Sequence, residues 1–219
     1  MLTADPPPVF AGGGFPAFMM NQSLHSLILP LLIAISWLGM TTSVEAKKYF
    51  TRQQAEKLCF PEADRFQWQT TYFTAEQAKA VKAAAKITKI HRGVWYGLAY
   101  QKDQIIGALV FDAVIGKHEY IDYVIALTTE GKVRQIEILE YRESWGGEVR
   151  RSGWRKQFVG KTTQSKLRLN DGIHNISGAT MSCRSITDGV RKTCHVWGLV
   201  LRPALLADGR LPKPAIRPR

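Results

Sequence analysis

The chain has 219 residues, 45% hydrophobic and 22% charged, enough for one packed domain with extensions and unlike a disordered or fibrous chain. Lys and Arg number 30 against 18 Asp and Glu, a net charge of +12 that suits an acidic partner, an anionic membrane surface or nucleic acid. No base-reading basic helix, RNA-binding aromatic signature or zinc-finger spacing accompanies that charge, so no nucleic-acid partner is expected.

Residues 1–46 are expected to be a leader with a signal peptide or an N-terminal anchor. Pro6-Pro7-Pro8 and Gly12-Gly13-Gly14 mark a disordered start. Leu27 to Leu38 is an apolar run interrupted only by Pro30 and Ser36. Val44 and Ala46 fit the small-residue pattern before a signal peptidase cut, which would leave Lys47 first. The run is short of the ~20 residues that a span needs, although extension from Leu24 to Met40 would allow a retained anchor. No Lys or Arg precedes Lys47, so the usual positive segment is missing, and a start at Met19 or Met20 would place the apolar run where a signal expects it.

The domain is expected over residues 47–201. Thr51-Arg52-Gln53-Gln54 and Thr74-Ala75-Glu76-Gln77 both have capping-box spacing. The first predicts a short helix through Leu58, ended by Pro61. The second predicts an Ala-rich helix to about Lys86, with Ala78, Val81 and Ala85 on one face. Val94–Tyr100, Ile105–Val114 and Tyr120–Leu127 are rich in β-branched and aromatic residues and predict strands. Thr129-Glu130-Gly131-Lys132 predicts a hairpin turn into an alternating strand, Val133–Tyr141. Glu143 to Lys161 has loop composition. From Met181 a helical period returns, with Ile186, Val190, Cys194, Trp197 and Leu201 in one apolar stripe. The Pro-rich segment 202–219 is expected to be a disordered tail. Helices, then a meander, then a loop and a helix predict an α+β fold, an antiparallel sheet with packed helices.

Three cysteines do not make a disulfide framework. Cys183 and Cys194 share one predicted helix roughly 16 Å apart, too far to pair. Cys59 could pair with either. The two on the helical stripe are expected to be buried and inert. His174 has no second ligand at metal spacing, so no metal is expected.

Ser177-Gly178-Ala179-Thr180 stands just ahead of the helical stripe. Three small residues allow close backbone approach, and Thr180 places a hydroxyl where the helix begins. Free amides and the helix dipole favour an anion there, phosphate above all. The same composition also suits a plain helix cap.

At these residues the chain resembles the FMN-binding domain family, which includes flavin-carrying subunits of the sodium-translocating NADH:quinone reductase and the Rnf complex. The extended match is Ile176-Ser177-Gly178-Ala179-Thr180-Met181-Ser182. Tyr141-Arg142-Glu143-Ser144-Trp145-Gly146-Gly147-Glu148-Val149, with Trp154 and Gln157-Phe158-Val159-Gly160-Lys161, is similar to the segment preceding the motif in small exported members. Phe60-Pro61-Glu62-Ala63-Asp64 resembles their start, so the likeness runs from about Thr51 to Trp197. Many members carry Asp six residues before the attachment threonine; His174 stands there, and the nearest acid is Asp171.

The resemblance implies FMN as cofactor, joined through a phosphodiester to Thr180 by a dedicated flavin transferase. Ser177, Gly178, Ala179 and Ser182 would surround the phosphate, with backbone amides from Gly178 to Ser182. Glu143, Gly146 and Gly147 would flank the isoalloxazine, with Trp145 or Trp154 as an aromatic wall. Lys161 and Arg184 are candidates to neutralise phosphate. The implied protein is an exported, periplasmic or otherwise extracytoplasmic electron carrier, possible in membrane-anchored form. It would meet a membrane or periplasmic redox partner, or an anionic membrane. Two other readings remain open: a flavin-dependent reductase with its own small-molecule acceptor, and a scaffold that has lost the flavin.

Overall fold

The computed structural model describes residues 47–212; the leader with its signal or anchor lies outside the described residues. The elements are β1 (Lys47–Lys48), α1 (Arg52–Cys59), β2 (Arg65–Tyr72), α2 (Ala75–Ala85), β3 (Gly93–Gln101), β4 (Gln104–Ile115), β5 (Tyr120–Thr128) and β6 (Val133–Tyr141). After these come a 3-10 turn (Gly147–Arg150), α3 (Ser152–Arg155), a 3-10 turn (Lys156–Phe158), β7 (Arg168–Leu169), β8 (Gly172–Ile173) and α4 (Thr180–Val196). A π-helical turn (Trp197–Leu201) leads into α5 (Arg202–Ala207). No described helix is long and apolar enough to cross a membrane.

The six strands form one antiparallel sheet in the order β1-β6-β5-β4-β3-β2. This is the expected α+β architecture. On one face α2 and α4 cover a large core that contains Val81, Ile121, Tyr123, Ile125, Ile186 and Val190. On the other face α1 covers Leu109, Val124 and Ala126 with Ala55, Cys59 and Phe60. β5 is therefore buried on both sides, which is why Tyr123 to Leu127 is an unbroken apolar run rather than an alternation.

Both capping boxes form. Thr51 caps Gln54 and Thr74 caps Gln77, each with the reciprocal glutamine bond to the cap amide. α4 packs closely on β5 because residue 189 is glycine. A Cβ there would collide with the Tyr123 hydroxyl and stand 3.1 Å from Val114 Cγ1. The Tyr123 hydroxyl donates to Asp112 Oδ2 at 2.6 Å, and Lys192 on α4 pairs with the same carboxylate at 2.8 Å. Burial and the neighbouring Asp112 push the Tyr123 phenol well up, so it stays a neutral donor.

Three expectations are corrected. β2 was not expected, although Phe66, Trp68 and Tyr72 stand at the alternating spacing of a strand with Gln67, Gln69 and Thr71 between; Phe66 and Trp68 turn to the α1 face. The segment 143–161 is not a plain loop but carries three short helical turns, which bury Val149, Trp154 and Phe158. The ordered chain also continues past residue 201. Pro203 follows the π-helical turn directly, and the helix continues through it into α5. Leu205 and Leu211 are buried, and Arg210 Nη2 donates to Gln67 Oε1 at 2.8 Å, so residues 202–212 belong to the domain. The rest of the expected tail lies outside the described residues.

All three cysteines are free and buried, so Cys59 pairs with neither of the others. Burial pushes the Cys59 thiol up to about 12, with Glu137 adding to the effect, and burial pushes Cys194 up to about 12. Neither offers a thiolate near neutrality.

Candidate functional site

The site is built where the end of β6 meets the start of α4. Ala179 is the helix cap, and its side chain makes no capping bond. The first i→i−4 bond runs from Cys183 N to Ala179 O at 2.9 Å, so the amides of Thr180, Met181 and Ser182 lie ahead of the helical ladder. Ser177, Gly178 and Met181 are exposed, and Thr180 is half-buried. The helix start is thus open to an external anion, with the positive end of the helix dipole behind it. Ser177 lies two residues ahead of the cap and does not close the helix, so the plain-cap reading fails here. Gly178 has φ 84°, a conformation that places it in the tight turn before Ala179. The Ala179 amide is spent within that turn, on Ile176 O at 3.0 Å, which takes it out of the expected phosphate cradle.

Thr180 Oγ1 accepts a hydrogen bond from Asn175 Nδ2 at 2.9 Å. Asn175 Oδ1 is buried and has no hydrogen-bond partner among the described residues. The donation from Asn175 is compatible with an ester oxygen at Thr180, because such an oxygen can still accept. Open amides beside the Thr180 hydroxyl oxygen fit a phosphate-bearing group at this place, whereas Asn175 Oδ1, itself an acceptor, offers a phosphate oxygen nothing.

The segment 141–161 grips the motif from one side. The Tyr141 hydroxyl donates to Trp145 O at 2.6 Å and lies 2.9 Å from Ser182 Oγ. Gly146 has φ 87°. A Cβ on it would stand 2.8 Å from the Tyr141 hydroxyl, 3.2 Å from Ser182 Oγ and 3.4 Å from Ala179 Cα. Further on, Trp154 Nε1 donates to His174 O at 2.8 Å, and the His174 amide donates to Gln157 Oε1 at 2.7 Å. Two stretches far apart in sequence are therefore one structural unit.

Several expected site residues do other work. Ser182 is buried and its hydroxyl belongs to Tyr141, so only its amide faces the helix start. Glu143 Oε1 accepts the amides of Lys117, of His118 at 2.6 Å and of Glu119 at 2.9 Å. Burial alone would raise this carboxyl, but the three amides and His118 together lower it below the ordinary glutamate range. Glu143 thus fastens the turn between β4 and β5. Trp154 is buried and packs edge-on against Phe158 with centroids 5.1 Å apart, so it is not a wall open to a ligand. Trp145, at 85% exposure, remains free for that part. Gly147 opens the 3-10 turn, where a Cβ would stand 4.0 Å from Tyr141 Cε1, and Arg184 is exposed on α4. Lys161 is not brought to the helix start: its carbonyl accepts the Val133 amide at 2.8 Å, at the opposite end of β6 from Tyr141. His174 is exposed and held by its backbone alone.

Sequence reasoning missed Tyr141 and Asn175 as members of the site. Tyr141 stood in the matched stretch, but only folding brings it to Ser182. Asn175 lies five residues before Thr180, and an amide at that spacing from a hydroxyl was the available signal.

Residues 116–195 match the family model described as the FMN-binding domain. The match begins at the turn held by Glu143 and ends in the last turn of α4, so it contains the whole unit just described. FMN is the cofactor of this domain. No curated protein matches the chain.

Proposed function

Starting from an FMN-binding domain at residues 116–195, we propose that the chain is an exported electron-transfer flavoprotein whose FMN is attached through a phosphodiester at Thr180. One observation carries the reading: a helix start without a side-chain cap, at which Thr180 Oγ1 is held by Asn175 beside the amides of Thr180, Met181 and Ser182. In attachment the Thr180 oxygen bonds to the flavin phosphorus as the P–O bond to the leaving group breaks (the nucleoside monophosphate half of a flavin dinucleotide donor), and the hydroxyl proton leaves with that group, so the product gains the mass of FMN less one water. Thr180, Met181 and Ser182 amides would receive the phosphate oxygens, Gly178 would leave the approach clear, and exposed Trp145 would cover one side of the ring. When bound, FMN supplies the redox chemistry, and the chain supplies position and electrostatics.

Export rests on the apolar run 27–38 with Val44 and Ala46 after it. A tether suits an extracytoplasmic carrier, because it keeps the cofactor in place without demanding affinity. A flavin transferase is the maturation partner in this reading, and the electrons pass to or from a membrane or periplasmic redox partner.

The test is expression of the exported form with a flavin transferase, followed by intact mass and peptide mapping of the wild type and Thr180→Ala. The expected result is the FMN-less-water gain on the Thr180 peptide and none in the variant. A yellow but unmodified wild type would replace the tether with reversible binding. A colourless, unmodified wild type would leave the scaffold reading.

A further inference from the structure

We propose that the cavity between α2 and residues 87–92 binds a compact polyanion of phosphate chemistry. The cavity has a volume of about 640 Å³ and is floored by Ala113 on β4 and Lys192 on α4. Lys79, Lys82, Lys89, His91, Arg92 and Lys192 line it, and no carboxylate of the described residues does. Lys192 is already paired, with Asp112 at 2.8 Å. Lys79, Lys82, Lys89 and Arg92 have no acidic partner within 4.0 Å among the described residues.

Two helical residues three apart, a short connecting segment and a second helix thus converge their cations on one concavity. Like charges so arranged repel one another, and low-dielectric walls focus their field into the cavity. An anion removes that repulsion. Arg92 offers a planar fork that suits phosphate oxygens, and the lysines offer mobile point charges. Ala75, Ala78 and Ala113 are small and leave the space open. The volume lies within the ~300–1,000 Å³ usual for small ligands, which suits a group of several linked phosphates or a phospholipid headgroup.

The cavity is separate from the flavin site. Lys192 lies twelve residues along α4 from Thr180, roughly 18 Å by helical rise. The proposal therefore does not depend on flavin attachment.

The test uses the full chain at ~150 mM salt, where exposed charges are screened beyond about 8 Å. Inorganic triphosphate is titrated calorimetrically into the wild type and into two variants of equal charge change. Lys89→Glu with Arg92→Glu alters the cavity; Lys57→Glu with Lys156→Glu alters exposed lysines elsewhere. Lys79→Glu, on α2, is a third variant that leaves residues 87–92 intact, and circular dichroism checks the fold of each. Saturable binding is expected in the wild type, weakened at least about tenfold by either cavity variant and less than about threefold by the control. Vesicles of phosphatidylcholine with and without phosphatidylglycerol separate the sources. Displacement from the anionic vesicles by triphosphate assigns a lipid headgroup, and triphosphate binding without vesicle binding assigns a free phosphate compound. Equal weakening in cavity and control variants, or no binding of either probe, overturns the proposal.

Discussion

The chain starts its three long helices in two different ways. α1 and α2 are closed by reciprocal threonine–glutamine boxes, which satisfy their free amides locally. α4, the longest, begins at Thr180 with no side-chain cap. The contrast shows that a cap was within reach of this sequence, and that the start of α4 instead depends on tertiary support. Tyr141, Gly146, Trp154 and Gln157 supply that support from outside the helix. An open helix start held rigid from outside can receive a phosphate without first breaking a cap.

The largest expected effect is at the open start itself. Thr180→Ala should abolish covalent FMN entirely while leaving the fold intact, as read by intact mass and circular dichroism. Gly146→Ala should come next, because its Cβ would meet Tyr141 and Ser182 at a backbone angle that disfavours side chains. A loss of about 2–3 kcal/mol in denaturant unfolding is expected. An unchanged midpoint would show that the two stretches are not rigidly joined. Tyr141→Phe removes one hydroxyl and leaves Ser182 buried without its partner, which should cost about 1–2 kcal/mol.

Thr74→Ala breaks a closed start instead. It should cost about 1 kcal/mol and leave FMN loading unchanged. If it impaired loading as strongly as Thr180→Ala, the contrast between closed and open starts would fail. The smallest effect is expected from Glu143→Gln and shows itself in pH dependence. The folded carboxyl is held below the ordinary glutamate range of about 4.3. Its contribution is therefore present above that value and is lost as pH falls through the lower folded pKa. The stability difference between wild type and Glu143→Gln should vanish on acidification, as followed by thermal midpoints between neutrality and about pH 3.

What the sequence determined by itself was local. Capping boxes at Thr51 and Thr74 close within three residues, so both helix starts were legible. The stripe from Ile186 to Leu201 repeats at the helical period, and all its members are buried. Strands β3 to β6 were legible from β-branched and aromatic runs, and the Ser177–Thr180 motif marked the place of the site. Tertiary structure alone decided the rest. β2 carries a short alternation at Phe66, Trp68 and Tyr72, but it is pairing with β3 from Arg65 to Tyr72 that makes the segment a strand. Residues 202–212 are ordered because Leu205 and Leu211 find the core. Glu143 could not be assigned to the β4–β5 turn, since its amide partners lie 24 to 26 residues away. Tyr141 and Ser182 are 41 residues apart and meet only when α4 docks on the sheet. Interactions within a turn are written in adjacent residues, whereas a contact across the fold depends on how every intervening element packs.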